Sequence, residues 1–213
     1  MHNRCKLDVF IVTQYDYYVI QDETKEREAI PMRNEEAIKF GAKEGFRYNI
    51  RSLSLTALFI TLTYLFTAFV NIRLPIGGNG GLIHLGNVPL FIAAILFGKK
   101  IGALAGSFGM ATFDLLSGWT LWAPFTFVIV GFMGYTTGAI TQKHHGFGWN
   151  LLAMGCATGI KIVGYYVAEG IIYGNWIAPV FSIPGNLLQV GTAIIIVLLC
   201  IEQLRKITNR IFT

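Results

Sequence analysis

Charge is what this sequence has least of. Only 14% of its 213 residues are Asp, Glu, Lys or Arg, where soluble domains carry about 25%. No charge falls between residues 52 and 72, and between residues 101 and 142 the only one is Asp114. Uncharged runs of this length suit a hydrocarbon core of ~30 Å, which a helix of ~20 apolar residues crosses. Cysteine is scarce as well: three residues, Cys5, Cys156 and Cys200, an odd number without close spacing. That excludes a zinc motif and a disulfide framework. Cys156 and Cys200 fall in apolar stretches and read as small packing residues. There is no GxxxxGK[ST] phosphate loop, so the chain does not by itself use ATP in the usual way, and no HExxH, GxSxG or CxxC. His144 and His145 are adjacent and do not share a helix face for a metal. The expectation is therefore no enzyme, no cofactor and no metal. The net charge of +5 does not imply nucleic acid, because no basic stripe with interleaved aromatics is present.

What is present is apolar: 54% of the residues are hydrophobic. Six segments can be drawn, at about residues 52–72, 84–98, 101–117, 121–142, 147–173 and 177–204. They predict an all-α membrane protein, a bundle of six transmembrane helices; the second and third are short for full spans. Lys and Arg set the orientation. Lys39, Lys43, Arg47 and Arg51 precede the first segment, Lys99 and Lys100 separate the second from the third, Lys143 follows the fourth, and Arg205, Lys206 and Arg210 follow the sixth. The opposite loops hold only Arg73. Both termini are expected to be cytoplasmic, which leaves the outer side rich in glycine and tryptophan. Trp119, Trp122 and Trp176 fall near it, as interfacial tryptophans do.

Three regions follow: residues 1–51 as a cytoplasmic N-terminal extension, 52–204 as the six-helix transmembrane domain, and 205–213 as a cytoplasmic tail. Residues 1–31 have an apolar patch too short to span, followed by acidic residues, and lack the features of a signal peptide. Met32 opens an ordinary cytoplasmic start, and the working protein is expected to begin near it. Glycines in the segments, among them Gly102, Gly106, Gly109, Gly131, Gly134, Gly138, Gly155 and Gly159, read as contacts of closely packed helices.

Ionisable groups inside a span are costly, so each is a functional candidate. Asp114 stands near the outer end of the third segment. Lys161, Tyr165 and Glu169 are spaced by four in the fifth and share a face. The alternative is an internal ion pair, Lys161 to Glu169 or Asp114, that only locks the bundle. Asn186 and Gln189 share a face of the sixth segment, and Pro184 and Gly185 just before them can interrupt the helix. They suit a neutral polar ligand or interhelical contact equally. His84 and Asn87, in HLGNVP, stand at a helix start, where Asn87 can act as a cap and Pro89 falls near the first turn. Trp119 and Trp122 are interfacial anchors or walls on which a flat ring stacks. The stretch PIGGNGG, with Gly77, Gly78, Asn79, Gly80 and Gly81, is an uncharged loop whose glycines allow it to fold over a pocket and reopen; the plain alternative is a connecting turn.

The run from IHLGNVP through FGKKIGALAG and DLLSGW to WAPFTFVIVGFMG resembles the substrate-binding S components of energy-coupling factor (ECF) transporters, in the riboflavin-type branch. The resemblance covers about residues 52–204. It implies a bacterial plasma-membrane protein without catalytic activity that captures a water-soluble vitamin from outside, under the first outer loop. It further implies docking on a transmembrane coupling subunit (T component) that carries two ATPases, followed by toppling within the membrane. Family members dock through an alanine-xxx-alanine pattern on the first helix; here the match is Ala57 to Thr61, a departure at its second position. A carboxylate such as Glu169 or Asp114 with an aromatic wall favours hydroxymethylpyrimidine or a pyridoxine-like ring. Pantothenate, through Lys161, and riboflavin are alternatives. A stand-alone proton-coupled transporter built on Asp114, Lys161 and Glu169 is the alternative of another class.

Overall fold

A computed structural model describes residues 50–73 and 82–212. In these residues the chain forms six α-helices, a short strand pair and one 3-10 turn: α1 (Ile50–Phe69), β1 (Asn71–Arg73), β2 (Leu82–His84), α2 (Asn87–Phe97), α3 (Lys99–Leu116), α4 (Ala123–Lys143), α5 (Phe147–Tyr173), the 3-10 turn Ala178–Ser182 and α6 (Ile183–Phe212). The strands are antiparallel, with Asn71 opposite His84. The all-α reading holds. Four helices (α1, α4, α5 and the stretch Ala178–Ile211) are long and apolar enough to cross a membrane. The six-span expectation is thus met in part: α2 has only 11 residues, and α3 has 18 but is diluted by glycine and serine.

The side chains are arranged inside out relative to a soluble protein. Leu58, Leu116, Phe132, Val163, Ile195 and Leu199 face outward, the last at 77% exposure. Asn87, Thr137, Asn150, Lys161 and Gln189 are buried beside Leu90, Phe91, Met110, Val130 and Met154. In lipid an outward Leu costs nothing, whereas a backbone or side-chain polar group must find an internal partner. Several threonine hydroxyls do so within their own helices, Thr67 donating to the Thr63 carbonyl at 2.7 Å and Thr137 to that of Met133 at 2.8 Å.

α3 is the hub, and its small residues explain why. A Cβ on Gly102 would collide with Ala94 of α2, one on Gly109 with Thr63 of α1, and one on Gly134 of α4 with the Gly102 backbone. Three neighbours therefore approach α3 at backbone distance, as lipid-embedded helices do where small residues meet. Ser107 adds an interhelical bond, its hydroxyl donating to the Phe127 carbonyl at 2.8 Å. Gly155 and Gly159 behave otherwise: nothing lies within 4 Å of where their Cβ would stand. They make no close packing, contrary to expectation, because they sit on the outward side of α5. Cys156, beside them, is exposed rather than packed.

Helix boundaries follow local chemistry. α2 ends and α3 begins at Gly98, whose φ of 93° lies in the left-handed region, open to glycine at little cost. α5 ends at Gly174 with φ 62°, a common helix stop. Two local expectations are corrected. Asn87 does not cap α2: the N-cap is Gly86, without a side-chain cap bond, and Asn87 is the first helical residue, turned inward. Pro184 and Gly185 do not interrupt the sixth helix but lie in its first turn. A proline there loses no hydrogen bond, since first-turn N–H groups have no partner within the helix.

Candidate functional site

The last turn of α3, the first of α4, the last of α5 and the first of α6 meet at one end of the bundle, together with β2. A polar chain runs through this end. The Lys161 amine, on a side chain only 2% exposed, donates to Gln189 Oε1 at 2.9 Å. The Gln189 amide in turn donates to the His84 carbonyl at 3.2 Å. One residue thereby ties α5, α6 and the strand pair together. The His84 ring accepts from the Gly86 N–H at 3.2 Å, which fixes the turn leading into α2. No ion pair joins Lys161 to Asp114 or Glu169 among the described residues. The alternative of a simple locking ion pair is therefore not what the structure contains; an amide holds the lysine.

The aromatic side of this end is built from Trp122, Tyr165 and Tyr173. The Trp122 and Tyr165 ring centroids lie 6.2 Å apart and their planes 33° apart. Tyr173 meets Trp122 edge-on at 6.0 Å, and Trp119 does so at 6.4 Å. The Lys161 amine stands 5.5 Å from the Tyr165 ring centre, within range of a cation–π contact. The Tyr165 hydroxyl shares a hydrogen bond with Thr126 at 3.1 Å. Asp114 faces Thr126 and lies within electrostatic reach of Lys161.

Glu169 is held from the other side. The Ser182 hydroxyl, in the 3-10 turn, shares its one proton between Glu169 Oε2 at 2.9 Å and the Pro179 carbonyl at 2.8 Å. The Asn186 amide donates to the Ser182 carbonyl at 3.2 Å, so Asn186 braces the turn that presents the serine. Its neighbour Pro179 is buried.

Three polar atoms at this end have no partner. Both Asn87 side-chain atoms and Asp114 Oδ2 are buried without a hydrogen bond. An unsatisfied buried polar group costs about 1–3 kcal/mol. Such groups are exceptions in a native fold, open to a water or a ligand; Thr63 Oγ1 and both Asn150 side-chain atoms, elsewhere in the bundle, share the condition.

Of the residues expected to bind substrate, Lys161, Gln189 and His84 form one hydrogen-bonded chain, Trp119, Trp122 and Tyr165 one aromatic cluster and Glu169 and Asn186 meet at Ser182; Asp114 faces Thr126, and Asn87 opens α2 with its side chain buried and bonded to none of them. Lys161, Tyr165 and Gln189 are linked by direct contacts, whereas Asn186 acts through Ser182. Two members were not legible beforehand, Thr126 and Ser182. Hydroxyls are frequent in apolar helices and carry no spacing signal. The glycine-rich loop, Gly77, Gly78, Asn79, Gly80 and Gly81, lies outside the described residues, as do residues 1–49 and with them the start at Met32. Ala57 and Thr61 are exposed on α1, where the Thr61 hydroxyl donates to the Ala57 carbonyl at 2.9 Å.

An apolar-faced bundle with four helices long enough to cross a membrane and polar and aromatic groups drawn inward at one end has the build of an integral membrane protein. Comparison with known proteins identifies which kind. The family described as ECF-type riboflavin transporter, S component, matches residues 47–206, and the chain belongs to that family. A protein of Lactococcus lactis subsp. cremoris named thiamine precursor transporter HmpT is 30% identical over 142 residues, which cover 67% of this chain and 80% of that protein. An uncharacterized protein of Pyrococcus woesei is 31% identical over 103 residues, covering 48% of this chain and 69% of that protein. The chain is accordingly a multi-pass cell-membrane component of a vitamin transporter and not an enzyme.

Proposed function

We propose that this S component captures hydroxymethylpyrimidine, or a closely similar small aminated ring, at the polar end of the bundle. The observation that carries the reading is the unpartnered Asp114 Oδ2, on a carboxylate that faces Thr126 and through it the Tyr165 hydroxyl of the Trp122–Tyr165 wall; both Asn87 side-chain atoms are likewise buried without a partner. An aminopyrimidine offers adjacent N–H donors and ring-nitrogen acceptors. A carboxylate takes the donors, a carboxamide matches both kinds, and an aromatic ring stacks on the face. The name of the Lactococcus lactis relative, a thiamine precursor transporter, agrees with this chemistry.

Glu169, braced by Ser182, supplies a second acceptor at the rim. Lys161 is committed to Gln189 and serves chiefly to order the site. The loop Gly77–Gly81, which joins β1 to β2 in sequence, covers the bound ring. Delivery runs through a coupling subunit and two ATPases, with Ala57 and Thr61 on the outward face of α1 as the contact. Both termini lie in the cytoplasm.

The test is calorimetric binding to the purified full-length chain, with hydroxymethylpyrimidine, pyridoxine, pantothenate and riboflavin compared. Tight binding of the first, lost on Asn87→Leu and on Asp114→Leu, supports the reading. Preference for pantothenate or riboflavin refutes the ring assignment. Uptake into vesicles driven by a proton gradient without the ATPases refutes the carrier mode.

A further inference from the structure

A concave site lies at the end of the bundle opposite the polar residues. It is a groove of about 480 Å³ between the start of α3, the end of α4 and the start of α5. Lys99 opens α3 and Lys143 closes α4, and both line it. The two helix ends are held together because Gly138 lies against the Lys99 backbone, with no room for a Cβ. The Lys99 amine stands 5.3 Å from the Tyr135 ring centre. His144 stacks on Trp149 at 4.0 Å and 15° between planes. No carboxylate lines the groove, and among the described residues neither lysine forms an ion pair. Two cations therefore converge on one cavity without an internal anion.

We infer that this groove binds the head group of an anionic phospholipid. Charge selects the anion: basic pockets between transmembrane helices at the positively charged end suit anionic head groups. The start of α3 adds the favourable end of a helix dipole. The walls select a lipid over a free anion. Tyr135, Trp149 and Leu152 line the groove and are 45%, 41% and 51% exposed, so its apolar side opens outward, where an acyl chain lies. Trp149 and Tyr135 are residue types that settle at the head-group level. A soluble phosphate gains nothing from that side. The groove is remote from the polar end, and the inference stands whatever the transported ring is.

The test is native mass spectrometry of the delipidated full-length chain, titrated with phosphatidylglycerol and with phosphatidylcholine of the same acyl chains. Phosphatidylglycerol is expected to be retained in preference. Each lysine near an anionic head group is worth about a fivefold change in retention, so Lys99→Gln with Lys143→Gln lowers it about 25-fold. The charge-preserving pair Lys99→Arg and Lys143→Arg keeps the preference, and Lys206→Gln, at an exposed position on α6, leaves it unchanged. Equal retention of both lipids, an unaffected glutamine pair, or an equal loss with Lys206→Gln overturns the inference. Full displacement by millimolar inorganic phosphate would also overturn it, by making this a free-anion site.

Discussion

Gln189→Leu removes the one side chain that joins Lys161 to the strand pair. Gln189 is 3% exposed, and leucine fills a similar volume, so packing changes little. Two hydrogen bonds disappear, one from the Lys161 amine at 2.9 Å and one to the His84 carbonyl at 3.2 Å. Leaving the buried amine unpaired costs about 1–3 kcal/mol, and the lost amide–carbonyl bond about 0.5–1.5 kcal/mol. The net is about 2–4 kcal/mol, which for a chain of this size lowers the unfolding temperature by about 4–16 °C. Thermal unfolding in detergent, without substrate, reads the effect directly. The double variant Lys161→Met with Gln189→Leu replaces both partners by apolar groups and is expected to recover most of the loss. A single variant that melts with the parent, or a double variant no more stable than the single, refutes the view that this amide–amine pair organises the site.

Three further outcomes follow from the geometry. Glu169→Ala removes the braced acceptor and is expected to weaken hydroxymethylpyrimidine binding about 10- to 100-fold, the worth of a hydrogen bond to a charged group; Ser182→Ala, which frees the carboxylate but keeps it, has a smaller effect in the same titration. Trp122→Leu removes the stacking surface and lowers affinity about tenfold, in line with about 0.5–1.5 kcal/mol per aromatic pair beyond area burial, with the unfolding temperature as the control for folding. Gly102→Val places branched carbon against the Ala94 Cβ and backbone. It is expected to destabilise by about 1–3 kcal/mol, seen as a lower melting temperature.

Much of the site was legible because the membrane makes polar residues conspicuous. Lys161, Tyr165 and Glu169 stand four apart in an otherwise apolar helix, and the fold turns that face inward. The expected segment 147–173 coincides with α5, Phe147–Tyr173, which Gly146 and Gly174 flank in the structure. The other boundaries drifted where the punctuation was weaker. His84 was read as the opening of a helix but lies in β2, because strand pairing with Asn71 is a long-range contact that periodicity does not report. Asn87 carries the residue type of a cap, yet its side chain faces the interior, where tertiary packing overrides local preference. Glycine spacing alone did not separate Gly102 and Gly134, which meet another backbone, from Gly155 and Gly159, which face outward. The partner of Lys161 was likewise hidden: charge arguments pointed to Asp114 or Glu169, whereas the structure supplies the amide of Gln189.

The claim on which the account rests is that the Asn87 side chain and Asp114 Oδ2 lack partners within the described residues because a small aminated ring supplies them. Isothermal titration of the purified chain with hydroxymethylpyrimidine, and with its analogue in which the exocyclic amine is replaced by hydrogen, tests this most directly. The account predicts tight one-to-one binding of the amine and a loss of about 10-fold or more for the analogue, as for a hydrogen bond to a charged acceptor. Equal affinity for the two, or no binding of either, would contradict it.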